Sequence, residues 1–284
     1  MNTSKVVFTR SDGETMTFGE GLYGLIEISG IGKIQPEIFT KKKAIGHGQI
    51  VTGLRIPGRE FTVKADVTDA SRNGEALTAL NRFFNPLYTF DAAITYLGDT
   101  RRAVGCRVRS FDAGNGNAYS PIKPQVTMLC EEAFFLSVDG FGQNVAGASG
   151  GFHFPFHTTE EEPLIFGVYR YSGGARLVND GDVTAWLSAT LTMTGPVERP
   201  SVRTDAGAVT LTGSFSAGDV IVIDSAERRV TLNGANAQTR LAKDSRWTAL
   251  ELPLGASLVS FTAESGTNNV SCVLTFHKRY LGVN

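Results

Sequence analysis

Polar and apolar residues alternate with a period of two through much of this chain. Glu60-Phe61-Thr62-Val63-Lys64-Ala65-Asp66-Val67 is the clearest run. Residues 104–111 repeat it, as do residues 220–224 in part, each bounded by Gly, Asp or Asn. That period puts one face on a core and the other in solvent, so these segments predict strands of half-covered sheets. One segment changes to helical spacing. In residues 71–84, Leu77, Leu80 and Phe83 with Phe84 fall three or four apart, Asp69 or Ser71 can cap the start, and Asn85-Pro86 ends it. Its apolar stripe predicts a helix lying on a sheet or barrel. A single helix among strands makes the first half α+β, because a parallel α/β sheet would need helices repeatedly.

Residues 142–151, Gly-Gln-Asn-Val-Ala-Gly-Ala-Ser-Gly-Gly, read as a flexible loop or linker. They divide the chain into domains at 1–145 and 146–284, with 152–162 as a connecting segment. Beyond them come strand-like segments near residues 164–171, 185–194, 209–213, 220–224, 229–233, 247–251, 258–263 and 270–278. Turns such as Asn179-Asp180-Gly181 and Asn233-Gly234 separate them. Many short strands and no helix predict a β-sandwich for this half.

Composition narrows the function classes. With 27 Lys+Arg against 28 Asp+Glu, the net charge is 27 − 28 = −1. That balance argues against a protein whose business is binding nucleic acid, and no sequence-specific nucleic acid is expected. Charged residues are 19% where about 25% is usual, so more surface than an ordinary monomer covers is expected to be buried in assembly. No apolar run approaches the roughly 20 residues that span a bilayer, and the opening Met1-Asn2-Thr3-Ser4-Lys5-Val6 has no apolar run before its first charges. The expectation is a soluble protein made in a cytoplasm, without membrane insertion. The three cysteines, Cys106, Cys130 and Cys272, are odd in number and set among apolar residues, and read as reduced core thiols.

The chemical motifs weaken on inspection. Gly19-Glu20-Gly21-Leu22-Tyr23-Gly24 matches a dinucleotide-binding fingerprint, but a strand-like Leu25-Ile26-Glu27-Ile28 follows where a helix N-terminus would have to hold the pyrophosphate. Gly147-Ala148-Ser149-Gly150-Gly151 has the spacing of a nucleophile elbow, with Glu160 to Glu162 and His277 as partners on paper. Its Gly-rich and Phe-Pro flanks cannot start the helix that presents the serine. His153 and His157 beside Glu160, Glu161 and Glu162 invite a metal, yet an extended Phe152–Phe156 separates the histidines by about 13 Å, too far for one ion. Neither an enzyme nor a cofactor or metal site is expected.

Basic residues cluster at Lys41-Lys42-Lys43, at Arg55 and Arg59, and at Arg101, Arg102, Arg107 and Arg109. On a strand over residues 104–110, Arg107 and Arg109 share one face and Cys106 and Val108 the other. With net charge near zero, these faces suit solvent or a subunit interface better than phosphate.

The order of segments carries a resemblance. In the first half, residues 21–32 lead to Ile34-Gln35-Pro36-Glu37-Ile38, then Gly46-His47-Gly48-Gln49, then Leu54-Arg55-Ile56-Pro57-Gly58-Arg59-Glu60-Phe61. A helix ending Leu80-Asn81-Arg82-Phe83-Phe84-Asn85-Pro86 and the arginine-bearing strands follow. In the second half the carrying residues are Leu177-Val178-Asn179-Asp180-Gly181-Asp182-Val183, Thr194-Gly195-Pro196, residues 218–224 with 229–234, and Tyr280-Leu281-Gly282-Val283. This order resembles the siphophage distal tail protein family, over nearly the whole chain and least at 141–162.

The resemblance implies a mainly β fold, with a tail-tube-like β-barrel or sandwich domain bearing one helix, followed by a galectin-like β-sandwich. It implies a structural virion protein at the distal tail tip, synthesised in the bacterial host cytoplasm and closing as a homo-hexamer that leaves a channel for DNA. Its partners would be the tail-tube protein, a central tail-tip protein and receptor-binding or side-fibre proteins. For the ring contacts, Lys41, Lys42, Lys43, Arg55, Arg59, Arg101, Arg107 and Arg109 are the candidates, since they combine charge with strand pattern. The alternative is a carbohydrate-binding adhesion module. It would need exposed Trp186 or Trp247 for sugar stacking, and both read as sandwich core.

Overall fold

In a computed structural model, residues 4–114, 119–150, 167–171 and 174–283 are described. The chain divides into two compact units, Met1–Val138 with Arg279–Asn284, and Asp139–Lys278. The division falls a few residues before the sequence-based boundary, and the last residues return to the first unit.

The first unit is a nine-stranded sheet and one helix. Its strands are β1 (Lys5–Arg10), β2 (Thr15–Phe18), β3 (Tyr23–Ser29), β6 (Arg59–Val67), β7 (Phe90–Tyr96), β8 (Asp99–Asp112), β9 (Gln125–Cys130) and β10 (Phe135–Ser137), closed by Arg279–Tyr280 against β10. The main path runs β2-β1-β7-β8-β9-β6-β3. A separate two-stranded hairpin, β4 (Glu37–Lys42) and β5 (Gln49–Arg55), sits between β3 and β6 in sequence. The alternation seen in the sequence is the burial pattern of β6: Phe61, Val63, Ala65 and Val67 face inward. Helix α1 (Asn73–Phe83) buries Ala76, Leu80 and Phe83 in the same core. Asp69 accepts the Ser71 N–H in the turn that precedes it, and the helix stops just before Asn85-Pro86. Phe84 is in edge or stacked contact with Phe8, Phe83 and Phe111, which locks the helix end onto the sheet.

Arg10 secures the same junction from β1. It donates to the Arg82 carbonyl at 3.0 Å, packs over the Tyr88 ring and pairs with Asp12, whose pKa that pairing lowers to about 2. Between β7 and β8, Leu97 and Gly98 form a two-residue turn with φ of 50° and 95°. Both left-handed positions suit Asn-Gly, and Leu97 is exposed. Leu97→Asn is expected to raise the Tm by a few degrees in thermal unfolding, since it removes about 1 kcal/mol of backbone cost and no core contact.

The second unit is a β-sandwich. One sheet holds β11 (Phe141–Gly150), β12 (Gly167–Tyr171), β14 (Ala185–Met193) and the strands Val220–Asp224, Arg229–Leu232 and Val270–Phe276. The other holds β13 (Ala175–Asn179), Ser201–Thr204, Gly207–Thr210 and Gly255–Thr262. Inward residues of both sheets, such as Leu187, Leu191, Ile221, Val202 and Phe261, make one core. Among the described residues the fold is therefore mainly β with one α-helix, as expected, and two local expectations change. The Gly-rich stretch expected as a loop or linker is strand β11 over Phe141–Gly150, paired with Val270–Phe276 and β12. Residues expected as a strand near 247–251 begin instead with a 3-10 turn, Trp247–Leu250.

The cysteine expectation is also corrected. Cys106 and Cys130, directly opposed on β8 and β9, form a disulfide. Cys272 remains a buried thiol, and burial pushes its pKa up to about 12, so it is unreactive at neutral pH.

Candidate functional site

The strongest feature outside the two cores is the β4–β5 hairpin. It is paired only with itself, and all of β4 and most of β5 are exposed. Ile38 pairs with Leu54, and after a register shift Thr40 pairs with Val51 and Lys41 with Ile50. Strand alternation then places Ile38, Leu54 and Val51 on one face of the ribbon and Phe39 and Ile50 on the other. These five residues are 52–62% exposed, and Ile45 in the connecting loop is 92% exposed. An isolated two-stranded hairpin is marginal in water, so one with bare apolar side chains on both faces needs covering from both sides.

The charge of the hairpin is one-sided. Residues 37–55 carry Lys41, Lys42, Lys43 and Arg55 against Glu37, giving 4 − 1 = +3. Among the described residues, none of the four cations forms an ion pair. At the root of the hairpin lies an open cleft of about 710 Å³, lined by Lys33, Gln35, Ile56, Glu60, Arg109 and Leu129 among others. The apolar members of this surface escaped the sequence reading, which followed charge. The signal was there in the adjacent pairs Ile38-Phe39 and Ile50-Val51, which break the alternation that a half-buried strand shows.

The predicted ring-contact residues separate into three groups. Lys41, Lys42, Lys43 and Arg55 are exposed on the hairpin. Arg107 and Arg109 are exposed on β8, with Arg107 Nε 3.8 Å from Glu131 and Arg109 paired with Glu60. In the third group Arg101 is turned inward, while Arg102 lies on the opposite face of β8 with its side chain 35% exposed. Arg101 bonds Asp99 at 3.0 Å and lies over the Tyr280 ring at 3.8 Å, and Arg102 bonds Asp91.

Arg59 is the most deeply withdrawn. Only 6% exposed, it donates from Nε to the Ala133 carbonyl at 3.0 Å, from Nη2 to the Leu281 carbonyl at 2.6 Å, and from Nη1 to the Gly30 and Ile31 carbonyls. It also covers the Phe135 ring at 4.3 Å. Burial lowers its pKa, yet a guanidinium with four carbonyl acceptors stays charged. Gly30 makes this possible: at φ 87° its backbone comes so near β6 that a Cβ would stand 2.5 Å from the Glu60 carbonyl. Arg59 is thus an internal clamp, and its guanidinium is not available to a neighbouring subunit.

Of the two saccharide candidates, one is placed as expected and one is not. Trp247 packs against the sandwich core, as expected. Trp186 does not belong to that core, because Ala185, Leu187, Ala189 and Leu191 take the buried positions of β14 and leave Trp186 half-buried on the outer face. The dinucleotide-like glycines fall in a turn that leads into strand β3, where no helix N-terminus follows. The Ser149 side chain, His153, His157 and Glu160 to Glu162 lie outside the described residues. Among the described residues no group of His, Cys, Asp and Glu could hold a metal ion, and no helix is long and apolar enough to cross a membrane.

Comparison with known proteins agrees with this architecture. Residues 180–280 match the family model "Siphovirus-type tail component, C-terminal domain". The crystal structure of SPP1 Dit, described as a paradigm of the hub adsorption apparatus in phages infecting Gram-positive bacteria, is 13% identical with a TM-score of 0.65. That match covers 96% of this chain and 98% of the other. The phage P2 baseplate in its activated conformation with calcium gives 10% identity and a TM-score of 0.54, over 97% and 98% of the two chains. No curated protein sequence matches.

Proposed function

We propose that this chain is a siphovirus-type distal tail protein, a structural, non-enzymatic component of the phage tail tip, and that six copies close into a ring at the distal end of the tail tube. The β4–β5 hairpin and the Arg107/Arg109 face of β8 make the contacts. The ring joins the tail-tube protein to a central tail-tip protein, its sandwiches carry receptor-binding or side-fibre proteins, and its centre leaves a channel for DNA.

The observation that carries this reading is the hairpin. Its exposed aliphatic residues on both faces have a stability cost that only a partner on each side offsets. Repeated head-to-tail contacts between identical chains cover such an element without leaving a free copy of it, provided that the rotation closes. The near-zero net charge suits a ring whose seams match unpaired lysines on one copy with carboxylates on the next. The arginine face of β8 is expected to add to the seam through charge. Arg107→Glu with Arg109→Glu should weaken hexamers about 10- to 100-fold in sedimentation at moderate salt, because it reverses two exposed charges that the seam matches with carboxylates of the next copy. Unchanged hexamers would take β8 out of the seam.

A further inference from the structure

We propose that the Cys106–Cys130 pair is a staple that stays open while the chain is made and assembled, and closes to a disulfide once the particle has left the cell. This rests on the tail-tip reading, which places the same protein first in a reducing bacterial cytoplasm and later outside it. In the cytoplasm small thiols hold a cysteine pair as thiols, and outside the cell that reductant no longer opposes the bond that the geometry allows.

The pair is positioned to close without rearrangement of the fold. Cys106 and Cys130 are direct partners in the β8–β9 ladder, and both side chains are within the first unit's core. Cys130 is also the ladder partner of Arg59, the clamp that binds the segments around Gly30, Ala133 and Leu281. The staple therefore joins β8 to the strand that the clamp already holds, and it encloses the long connection from 106 to 130.

Access for an oxidant comes from the irregularities that flank Cys106. Gly105, at φ 62°, lies at a register shift of β8 against β7, and Arg109 lies at a second shift against β9. Both cysteines are buried, so oxidation requires a local opening of β8, and the shifts at either end of the three consecutive pairs from Cys106 to Val108 are where the ladder is weakest. The chemistry is thiol–disulfide exchange with a low-molecular-weight disulfide such as oxidised glutathione. One cysteine loses its proton to water and attacks a glutathione sulfur, which breaks the small disulfide and expels one glutathione thiolate. The second cysteine, also deprotonated, attacks the mixed disulfide at the protein sulfur and expels the other. Two electrons pass from the cysteine pair to the small disulfide, which leaves as two thiols. Cys272, alone in the other unit, takes no part in closure.

The test is differential alkylation with mass spectrometry on the full chain. In a cytoplasmic extract quenched with acid, both Cys106 and Cys130 are expected to alkylate. After incubation with oxidised glutathione, and in particles purified from the medium, both are expected to resist alkylation until reduced. Closure is expected to raise the Tm of the purified chain by about 10 °C through the loop it constrains, a shift absent from the Cys106→Ala, Cys130→Ala variant. An already closed pair in the quenched extract, a pair that oxidised glutathione leaves open, or an unchanged Tm on closure would each overturn the proposal. The same measurements made on monomer keep the two readings apart. A chain that fails to form rings yet closes the staple on oxidation contradicts the ring alone.

Discussion

Replacing Ile38 and Leu54 together by Asp is expected to convert hexamers into monomers while leaving the Tm of the chain within about 2 °C of wild type. The two residues are ladder partners on one face of the β4–β5 hairpin, 55% and 62% exposed, and they belong to neither core. Removing them takes little from the isolated chain. In a seam that covers this face, burying the exposed half of each side chain contributes about 1–1.5 kcal/mol, and its aspartate replacement adds a carboxylate whose desolvation costs at least about 1 kcal/mol more. A loss of at least about 4 kcal/mol per seam weakens each contact by about 10³-fold. Sedimentation at micromolar concentration reads the assembly and thermal unfolding reads the chain. Hexamers of undiminished stability would remove the hairpin from the ring. A large fall in Tm would instead make the hairpin part of the fold.

The second large effect is expected in the fold rather than the assembly. Arg59→Ala should lower the Tm by about 10 °C or more. The buried guanidinium serves four carbonyls, those of Ala133, Leu281, Gly30 and Ile31, and rests on the Phe135 ring. Without it, buried acceptors lose their donor at about 1–3 kcal/mol each, for a total near 4 kcal/mol. Arg59→Lys retains the charge but cannot supply the planar fork, so it should recover only part of the loss. Arg107→Glu with Arg109→Glu, on the exposed face, should leave the Tm nearly unchanged. The pair of experiments separates clamp from seam. Loss of hexamers at unchanged Tm in Arg59→Ala would return Arg59 to the interface.

The different fates of these arginines show how far a sequence carries. The run over 60–67 declared its inward face, and strict alternation extended back two residues puts Arg59 on that face with Phe61, Val63, Ala65 and Val67. Charge drew the reading toward solvent, where the parity of the strand pointed inward. Trp186 is the same lesson reversed: hydrophobicity suggested core, while parity with Leu187 and Leu191 places it outside. Helix α1 was legible because capping, spacing and an Asn-Pro stop agreed.

Long-range pairing hid what remained. Glycines at 142, 147 and 150 have weak strand preference of their own, and β11 forms because Val270–Phe276 offers residues 141–146 a ladder across more than a hundred residues and β12 pairs with residues 146–150. Cys106 and Cys130 meet because β8 and β9 share a register, which a spacing of 24 does not reveal. The hairpin's bare faces do show in the sequence, as the adjacent apolar pairs Ile38-Phe39 and Ile50-Val51, which the alternation of a half-buried strand does not produce.

The mass of the purified full chain in solution, by light scattering over a range of concentrations, tests the ring most directly. The account predicts a species near six times the 30.5 kDa chain, with a central hole in negative-stain images. A monomer at every concentration, with the hairpin folded and uncovered, would contradict it.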